Sequence, residues 1–242
     1  MKNELLLIVS LAALFGCVLA VLRLFGRSGL YTFSAVATVL ANIEVMIIVD
    51  AFGMEMTLGN ILFASTFLVT DILSELYGKR YAQKAVNLGI FSSVLFLLVS
   101  QSWLLYVPNQ SDWAMPSMKA LFTNTPRLLL ASLVVYALAQ TFDVWLYHKW
   151  WDFTTRRFGS SRRFLWLRNN GSTLASQLLN TVLYNLFAFG GMYSPGTLLS
   201  IIFAGYVIFI VTSLADTPVI YAARWMMEKG YLDKHSVKES AD

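Results

Sequence analysis

Long apolar runs dominate this chain of 242 residues and restrict its fold more than any other feature. A helix needs ~20 apolar residues to cross the ~30 Å hydrocarbon core of a membrane. A transmembrane barrel would instead show ~10-residue segments that alternate apolar and polar residues, and the chain has none. Its charged residues make up 13% of the total, about half of the ~25% typical of soluble domains.

The sequence therefore predicts an all-α fold, a polytopic transmembrane helical bundle that forms one domain over residues 1–242. About seven spans are expected, six in the core and an extra one at the N-terminus. The predicted spans are 4–25, 30–51, 57–77, 82–107, 127–149, 171–191 and 197–223.

Basic residues at the span ends indicate the orientation, because lysine and arginine accumulate in cytoplasmic segments. With the N-terminus outside, the outer segments keep only Lys2, Lys119 and Arg127 of the 18 basic residues. An N-out, C-in topology follows, with residues 224–242 as a cytoplasmic tail. This distribution explains the net charge of +4 without a basic face for nucleic acid.

Two connections carry clear turn signals. The five residues at 52–56 separate the second and third spans and predict a tight hairpin. The segment 108–126 contains three prolines and predicts a loop with a short surface helix. The single cysteine, Cys17, excludes an intrachain disulfide.

Acidic residues inside the apolar runs are the main functional signal. Asp71 and Glu75 lie one turn apart and share a helix face. A carboxylate at the bilayer centre costs ~2.5–3.5 kcal/mol on insertion scales, so such residues often mark a binding site or a polar path. For Glu75 the alternative is a surface ion pair with Lys79.

Three later groups of polar residues extend this signal. Gln140 and Asp143 share a face of the fifth span, where Asp143 could alternatively pair with a nearby cation. The sixth span carries a stripe that could line a cavity or connect helices, since polar side chains also hold membrane helices together. Asp216 lies two residues before Pro218, which frees a backbone carbonyl and predicts a kink. The residues of the stripe are Ser176, Gln177, Asn180 and Thr181.

Asn42 and Glu44, in the middle of the second span, complete the candidate site. Catalytic signals are weak, because the chain has no phosphate loop, no zinc-protease helix and no metal-ligand spacing. We therefore expect no enzyme, no metal and no cofactor. The predicted substrate-binding residues are Asn42, Glu44, Asp71, Glu75, Gln140, Asp143, Ser176, Gln177, Asn180 and Asp216.

Four stretches, at residues 40–86, 126–148, 166–181 and 215–224, run from the second span to the last and include VTDILSELYGKR, AQTFDVWLYH, WLRNNGSTLASQLLNT and ADTPVIYAAR. Taken together, they resemble the queuosine precursor transporter family, also called the vitamin uptake transporter family. The resemblance implies a multi-pass carrier in the cytoplasmic membrane that imports 7-deazaguanine-type bases. Its expected partners are that small molecule and membrane lipid, with a homodimer and an energy-coupling protein as further possibilities.

The chain departs from the family pattern at four positions. Ile47 and Phe209 stand where a lysine is common, Asn180 where an aspartate is usual and Glu44 where a glutamine is usual. Three of these changes remove buried charges, which are costly when unpaired, and one adds an acid. All four bear on the substrate or the coupling ion.

Two other functions are compatible with the residues. The chain could be the substrate-binding subunit of an ATP-driven vitamin uptake system, since it carries no nucleotide motif of its own. It could also be an intramembrane hydrolase that uses Asp71 and Asp216. Uptake by the purified protein without partners, and loss of a substrate rather than its movement, would distinguish these alternatives.

Overall fold

The fold is described from a computed structural model that covers residues 2–123, 126–159 and 163–232. The predicted all-α class is confirmed, because the described chain is a bundle of helices with a single β-hairpin. In chain order the elements are α1 (Lys2–Glu44), β1 (Ile48–Ala51), β2 (Met54–Thr57), α2 (Gly59–Leu76), α3 (Lys79–Trp103), α4 (Met115–Phe122), α5 (Pro126–Phe158), α6 (Leu165–Phe189) and α7 (Pro195–Glu228).

Helix α1 contains the first predicted span and most of the second, divided at Gly26. Gly26 has φ 57° and ψ −140°, a left-handed conformation that glycine adopts at little steric cost. The chain reverses direction there, as the hydrogen bond from Asn3 Nδ2, at the start of α1, to the carbonyl oxygen of Asp50 at 3.0 Å shows. Residues 2–25 and 27–44 therefore form an antiparallel pair.

The second predicted span, 30–51, ends early as a helix and continues as a β-hairpin. Helix α1 stops at Glu44, and β1 pairs antiparallel with β2 from Ile48 opposite Thr57 to Ala51 opposite Met54. β-branched residues at 47–49 favour a strand. Phe52 and Gly53 both have positive φ, 53° and 74°, as a two-residue type I′ turn requires.

Helix α2 lies at the centre of the bundle. It packs against α1, α3, α5 and α7. Of the residues in its most apolar stretch of 18, 83% are buried, compared with 22% in the corresponding stretches of α1 and α7. The main apolar core surrounds it, with Leu68, Ile72 and Leu73 fully buried. Polar residues on α2 therefore face protein rather than lipid.

Five of the described helices are long and apolar enough to cross a membrane by length and composition: α1, α2, α3, α5 and α7. Helix α6 has 25 residues, a length of ~37 Å, but its polar stripe lowers its hydropathy. The number of spans and the N-out, C-in orientation stay predictions.

Several predicted boundaries shift. Helix α3 ends at Trp103, α5 continues to Phe158, and α6 begins at Leu165. Helix α7 passes through Pro218 without a change of element. The short helix predicted within 108–126 is present as α4. Arg162 and most of the predicted tail, residues 233–242, lie outside the described residues.

The two ends of the bundle differ in charge. We call the end with the β-hairpin the hairpin end, and the opposite end, with the bend at Gly26 and the α2–α3 connection, the basic end. At the basic end, Arg27 lies 5.1 Å from the ring centroid of Tyr81 and Arg23 lies 5.5 Å from that of Tyr231. Arg27, Lys79, Arg80 and Lys84 line one open cleft there.

Candidate functional site

Helix α2 presents a polar stripe to the interior of the bundle. Thr66, Thr70 and Ser74 recur every four residues, and Asp71 and Glu75 lie one turn apart, so each set shares a face. Thr66, Thr70 and Asp71 are fully buried, and Ser74 is 1% exposed. A helix that is buried on all sides directs these groups at its neighbours in the bundle.

Gln140 connects α5 to this stripe. Its Nε2 donates to Thr66 Oγ1 at 2.8 Å, and its Oε1 accepts from the Thr70 hydroxyl at 3.1 Å. Both ends of the buried amide are therefore satisfied by α2. Gln140 holds α5 against α2 in this arrangement, and its role as a substrate ligand stays a prediction.

Glu75 is the centre of an ionic network at the basic end. Arg168 Nη2 donates to both carboxylate oxygens, at 3.0 and 2.8 Å, and Arg224 Nη1 donates to Oε1 at 3.2 Å. The Tyr147 hydroxyl donates to Oε2 at 2.7 Å. Among the described residues, these arginines rather than Lys79 are the ion-pair partners of Glu75.

Arg168 is the largest fully buried side chain of the described chain. Besides Glu75, it donates from Nη1 to the carbonyl oxygen of Arg163 at 3.0 Å. Its guanidinium carbon lies 4.3 Å from the centroid of the Trp151 ring, an arrangement stabilised by the negative face of the ring. The network thus joins α2, α5, α6 and α7 where the polar interior meets the basic end.

Asp71, Asp143 and Asp216 form what we call the carboxyl triad. They come from α2, α5 and α7, and they are 0%, 0% and 2% exposed. Asp143 and Asp216 both interact electrostatically with Asp71, and Asp143 lies within hydrogen-bonding reach of it. The structure therefore brings together three of the predicted acids.

Helix α6 supplies the donors to the triad. Thr173 Oγ1 donates to Asp71 Oδ2 at 2.9 Å, and Asn169 Nδ2 donates to Asp216 Oδ1 at 2.7 Å. The hydroxyl of Ser176, another predicted site residue, donates to Asp143 Oδ1 at 2.8 Å. All of these donors are neutral.

Gln177 differs from the other buried amides. It is 1% exposed, and neither its Nε2 nor its Oε1 has a hydrogen-bond partner among the described residues. Buried polar groups are nearly always paired, so an exception needs an explanation, such as a water, an ion or a ligand. Gln177 lies one turn along α6 from Thr173 and three residues before Asn180.

A cavity of about 130 Å³, which we call the amide cavity, opens beside this stretch of α6, towards the hairpin end. Of the ten predicted site residues, Asn180 is the one in its lining. The Tyr184 hydroxyl is buried without a partner among the described residues. The volume is below the ~300 Å³ lower bound of common ligand pockets, so the cavity suits a compact ligand. Its polar and aromatic lining residues are Glu55, Thr57, Asn60, Asn180, Thr181, Tyr184, Asn185, Phe189, Tyr193 and Phe209.

Asn42 and Glu44 lie apart from the triad. Asn42 Nδ2 is 2.9 Å from the carbonyl oxygen of Thr38 and 3.2 Å from Ser93 Oγ, which places the side chain between α1 and α3. Glu44 lines a different cavity of about 300 Å³ with Asn3 and other residues of the first half of α1. The structure does not group either residue with the triad.

Two of the four positions at which the sequence is expected to depart from the family that it resembles, Asn180 and Phe209, line the amide cavity. Glu44 lines the other cavity, and Ile47 is 45% exposed beside the β-hairpin.

Sequence reasoning misses several contributors to these sites. Asn169 and Thr173 are visible only as polar residues of the sixth span, and Arg168 looks like part of a cytoplasmic segment. Their spacing could identify them, since Asn169, Thr173 and Gln177 follow each other by one turn, as do Arg168, Ser172 and Ser176. Asn60 and Asn185 give no signal, because isolated asparagines occur in many helices.

Comparison with protein families gives a match to a family described as "Putative vitamin uptake transporter" over residues 57–223. This range contains the carboxyl triad, Glu75 with its partners Arg168 and Tyr147, and most of the lining of the amide cavity.

Two curated proteins are similar along the chain. One is the "Probable queuosine precursor transporter" of Bacillus subtilis (strain 168), 39% identical over 203 residues that cover 84% of this chain and 86% of the relative. The other is the "Queuosine precursor transporter" of Escherichia coli (strain K12), 28% identical over 149 residues, or 62% of each chain. No solved structure matches the chain.

Proposed function

Because the chain belongs to the vitamin uptake transporter family, we propose that it imports queuosine precursors, bases of the 7-deazaguanine type, across the cytoplasmic membrane. The resemblance predicted from the sequence is confirmed by this membership. Its family and its long apolar helices indicate that the protein is a multi-pass membrane protein.

The amide cavity is the observation that carries the proposal. Its amides, from Asn60, Asn180 and Asn185, can accept and donate hydrogen bonds along the edge of a guanine-like base. Tyr184 offers a ring face on which the base can stack, an interaction worth ~1–3 kcal/mol by analogy with base stacking on proteins. A small cavity with convergent amides and aromatic rings matches a flat, polar heterocycle.

We assign the hairpin end to the outside and the basic end to the cytoplasm, from the distribution of basic residues. The cavity then opens outwards, while the Glu75 network closes the cytoplasmic side. In alternating access, the ion pairs of this network must break so that the cytoplasmic side opens while the hairpin end closes. The proposal makes the protein a carrier rather than an enzyme.

Purified protein in liposomes tests the function. We expect uptake of radiolabelled 7-cyano-7-deazaguanine into vesicles that contain this chain and no other protein. Uptake that appears only after an ATPase and a coupling protein are added would identify a binding subunit instead. Chemical conversion of the base without its movement would identify an enzyme.

Asn180→Leu provides a variant for the same assay. It removes an amide from the cavity and keeps the side chain close in size, so the apparent KM should rise about tenfold, the equivalent of one hydrogen bond of ~1.4 kcal/mol. Leu178→Ala, on the exposed face of α6, is the matched control and should transport normally. Unchanged uptake by Asn180→Leu would contradict the site.

A further inference from the structure

The carboxyl triad has no cationic partner to balance its charge within the described part of the chain. The described contacts of Asp71, Asp143 and Asp216 are the neutral groups of Thr173, Ser176, Ser172 and Asn169, together with the other acids. Among the described residues, the one buried basic side chain, Arg168, is already bound to Glu75.

The unsatisfied atoms of the triad and of Asn169 are acceptors. Within the described residues, Asp71 Oδ1 and Asp143 Oδ2 have no hydrogen-bond donor, and neither has Asn169 Oδ1. The side chain of Asn169 is fully buried, and its Nδ2 bonds to Asp216, so its unpaired oxygen belongs to the same cluster. Acceptors without donors in a dry interior call for a proton or another cation.

We propose that the carboxyl triad binds the cation, a proton or a sodium ion, whose inward movement drives uptake of the base. This inference rests on the transport function proposed above.

The position of the triad separates it from the amide cavity. Thr173, which contacts Asp71, and Asn180, which lines the cavity, are seven residues apart on α6, or ~10 Å along its axis. Gln177, with both polar atoms unpaired among the described residues, lies between them. The cation and the base thus have neighbouring sites on one polar face, an arrangement in which occupation of one site can affect the other.

The charged and titratable groups around Asp71 are few. On its own helix, Glu75 lies one turn away and is held by Arg168 from α6 and Arg224 from α7. Helix α5 contributes Asp143 and Tyr147, and α7 contributes Asp216. Among the described residues, no charged group of α1 or α3 interacts with Asp71.

Vesicles with imposed gradients test the proposal. Wild-type protein should accumulate labelled 7-cyano-7-deazaguanine, which is neutral and brings no charge of its own to the triad. With one proton per base, an inward pH gradient of one unit should raise the internal concentration about tenfold above the external one. A sodium gradient at constant pH is the second arm and distinguishes the two cations.

Asp71→Asn keeps the shape of the side chain and removes its charge. In this variant the gradient should no longer cause accumulation, while exchange of internal unlabelled base for external labelled base continues. Asp143→Asn, expected to behave alike, replaces it if Asp71→Asn does not fold. Asp50→Asn, the same change in an exposed strand, should accumulate base like the wild type.

Three results would overturn the proposal. Accumulation by Asp71→Asn at the wild-type level would show that the charge is not used. If a folded Asp71→Asn variant loses both exchange and accumulation, Asp71 is a ligand of the base instead. If the wild type exchanges the base but accumulates none under either cation gradient, the coupling proposal is refuted and the transport function stands. If the wild type shows neither exchange nor accumulation, the transport function is refuted as well.

Discussion

Replacing Glu75 by glutamine should destabilise the protein strongly, because it leaves a buried arginine without its counter-ion. Glu75 bonds to Arg168 through two contacts of 3.0 and 2.8 Å, and Arg168 is fully buried. Removing one partner of a buried ion pair costs ~3–5 kcal/mol. The second partner, Arg224, is 15% exposed and 3.2 Å away, so its contact should add no more than ~1 kcal/mol.

The free energy of unfolding in detergent micelles, titrated with SDS and followed by tryptophan fluorescence, measures this effect. We expect Glu75→Gln to lower it by about 3–5 kcal/mol. Arg168→Met should be similarly damaging alone, yet the double variant should lose less than the sum of the two single losses, because it leaves no unpaired charge at this pair.

Glu228→Gln is the matched control. Glu228 pairs with the same Arg224 at 3.4 Å across one turn of α7, but its side chain is 49% exposed. Such a pair contributes ~0.3–0.5 kcal/mol. A loss below ~1 kcal/mol for Glu75→Gln, or additive effects of the Glu75 and Arg168 changes, would refute the view that this network closes the basic end.

Two further predictions concern packing and access. Gly89→Ala should lower the free energy of unfolding by ~1–3 kcal/mol, because its Cβ would clash with the hydroxyl oxygen of the buried Tyr136. Gly16→Ala meets nothing within 4 Å and should stabilise the protein by up to ~1 kcal/mol. Equal effects of the two changes in the same titration would contradict the close α3–α5 packing. Tyr184→Leu should weaken binding of 7-cyano-7-deazaguanine about tenfold through lost stacking, measured by calorimetry, and unchanged affinity would exclude Tyr184 from the site.

The all-α fold and most helices could be predicted from the sequence because hydrophobicity determines membrane helices directly. The strand pair at 48–57 could not, since residues 47–49 continue the apolar run of the second predicted span, and this continuity hides the preference of β-branched residues for a strand. The turn of α1 at Gly26, where φ is 57°, lies between the predicted spans 4–25 and 30–51, so the sequence indicates this break even though it does not specify the conformation of the glycine.

The site was predictable in part for a related reason. Asp71, Asp143 and Asp216 stand out in apolar runs, and all three meet in the interior. The partners of Glu75 could not be identified, because Arg168 and Arg224 are distant in sequence and nearby basic residues offered simpler pairs. The location of the amide cavity depends on how α2, α6 and α7 pack with the β-hairpin, which no local pattern specifies.

Protection of a single introduced thiol tests the central claim most directly, namely that the base occupies the cavity lined by Asn180. Cys17 is the one cysteine of the chain, so Asn180→Cys in a Cys17→Ser background carries a unique thiol. Saturating 7-cyano-7-deazaguanine should slow alkylation of this thiol at least about tenfold, equivalent to ~1.4 kcal/mol. Alkylation of Glu44→Cys in the same background, in the separate cavity of about 300 Å³, should keep its rate. Unchanged alkylation of the thiol at 180, or protection at 44 instead, would contradict the account.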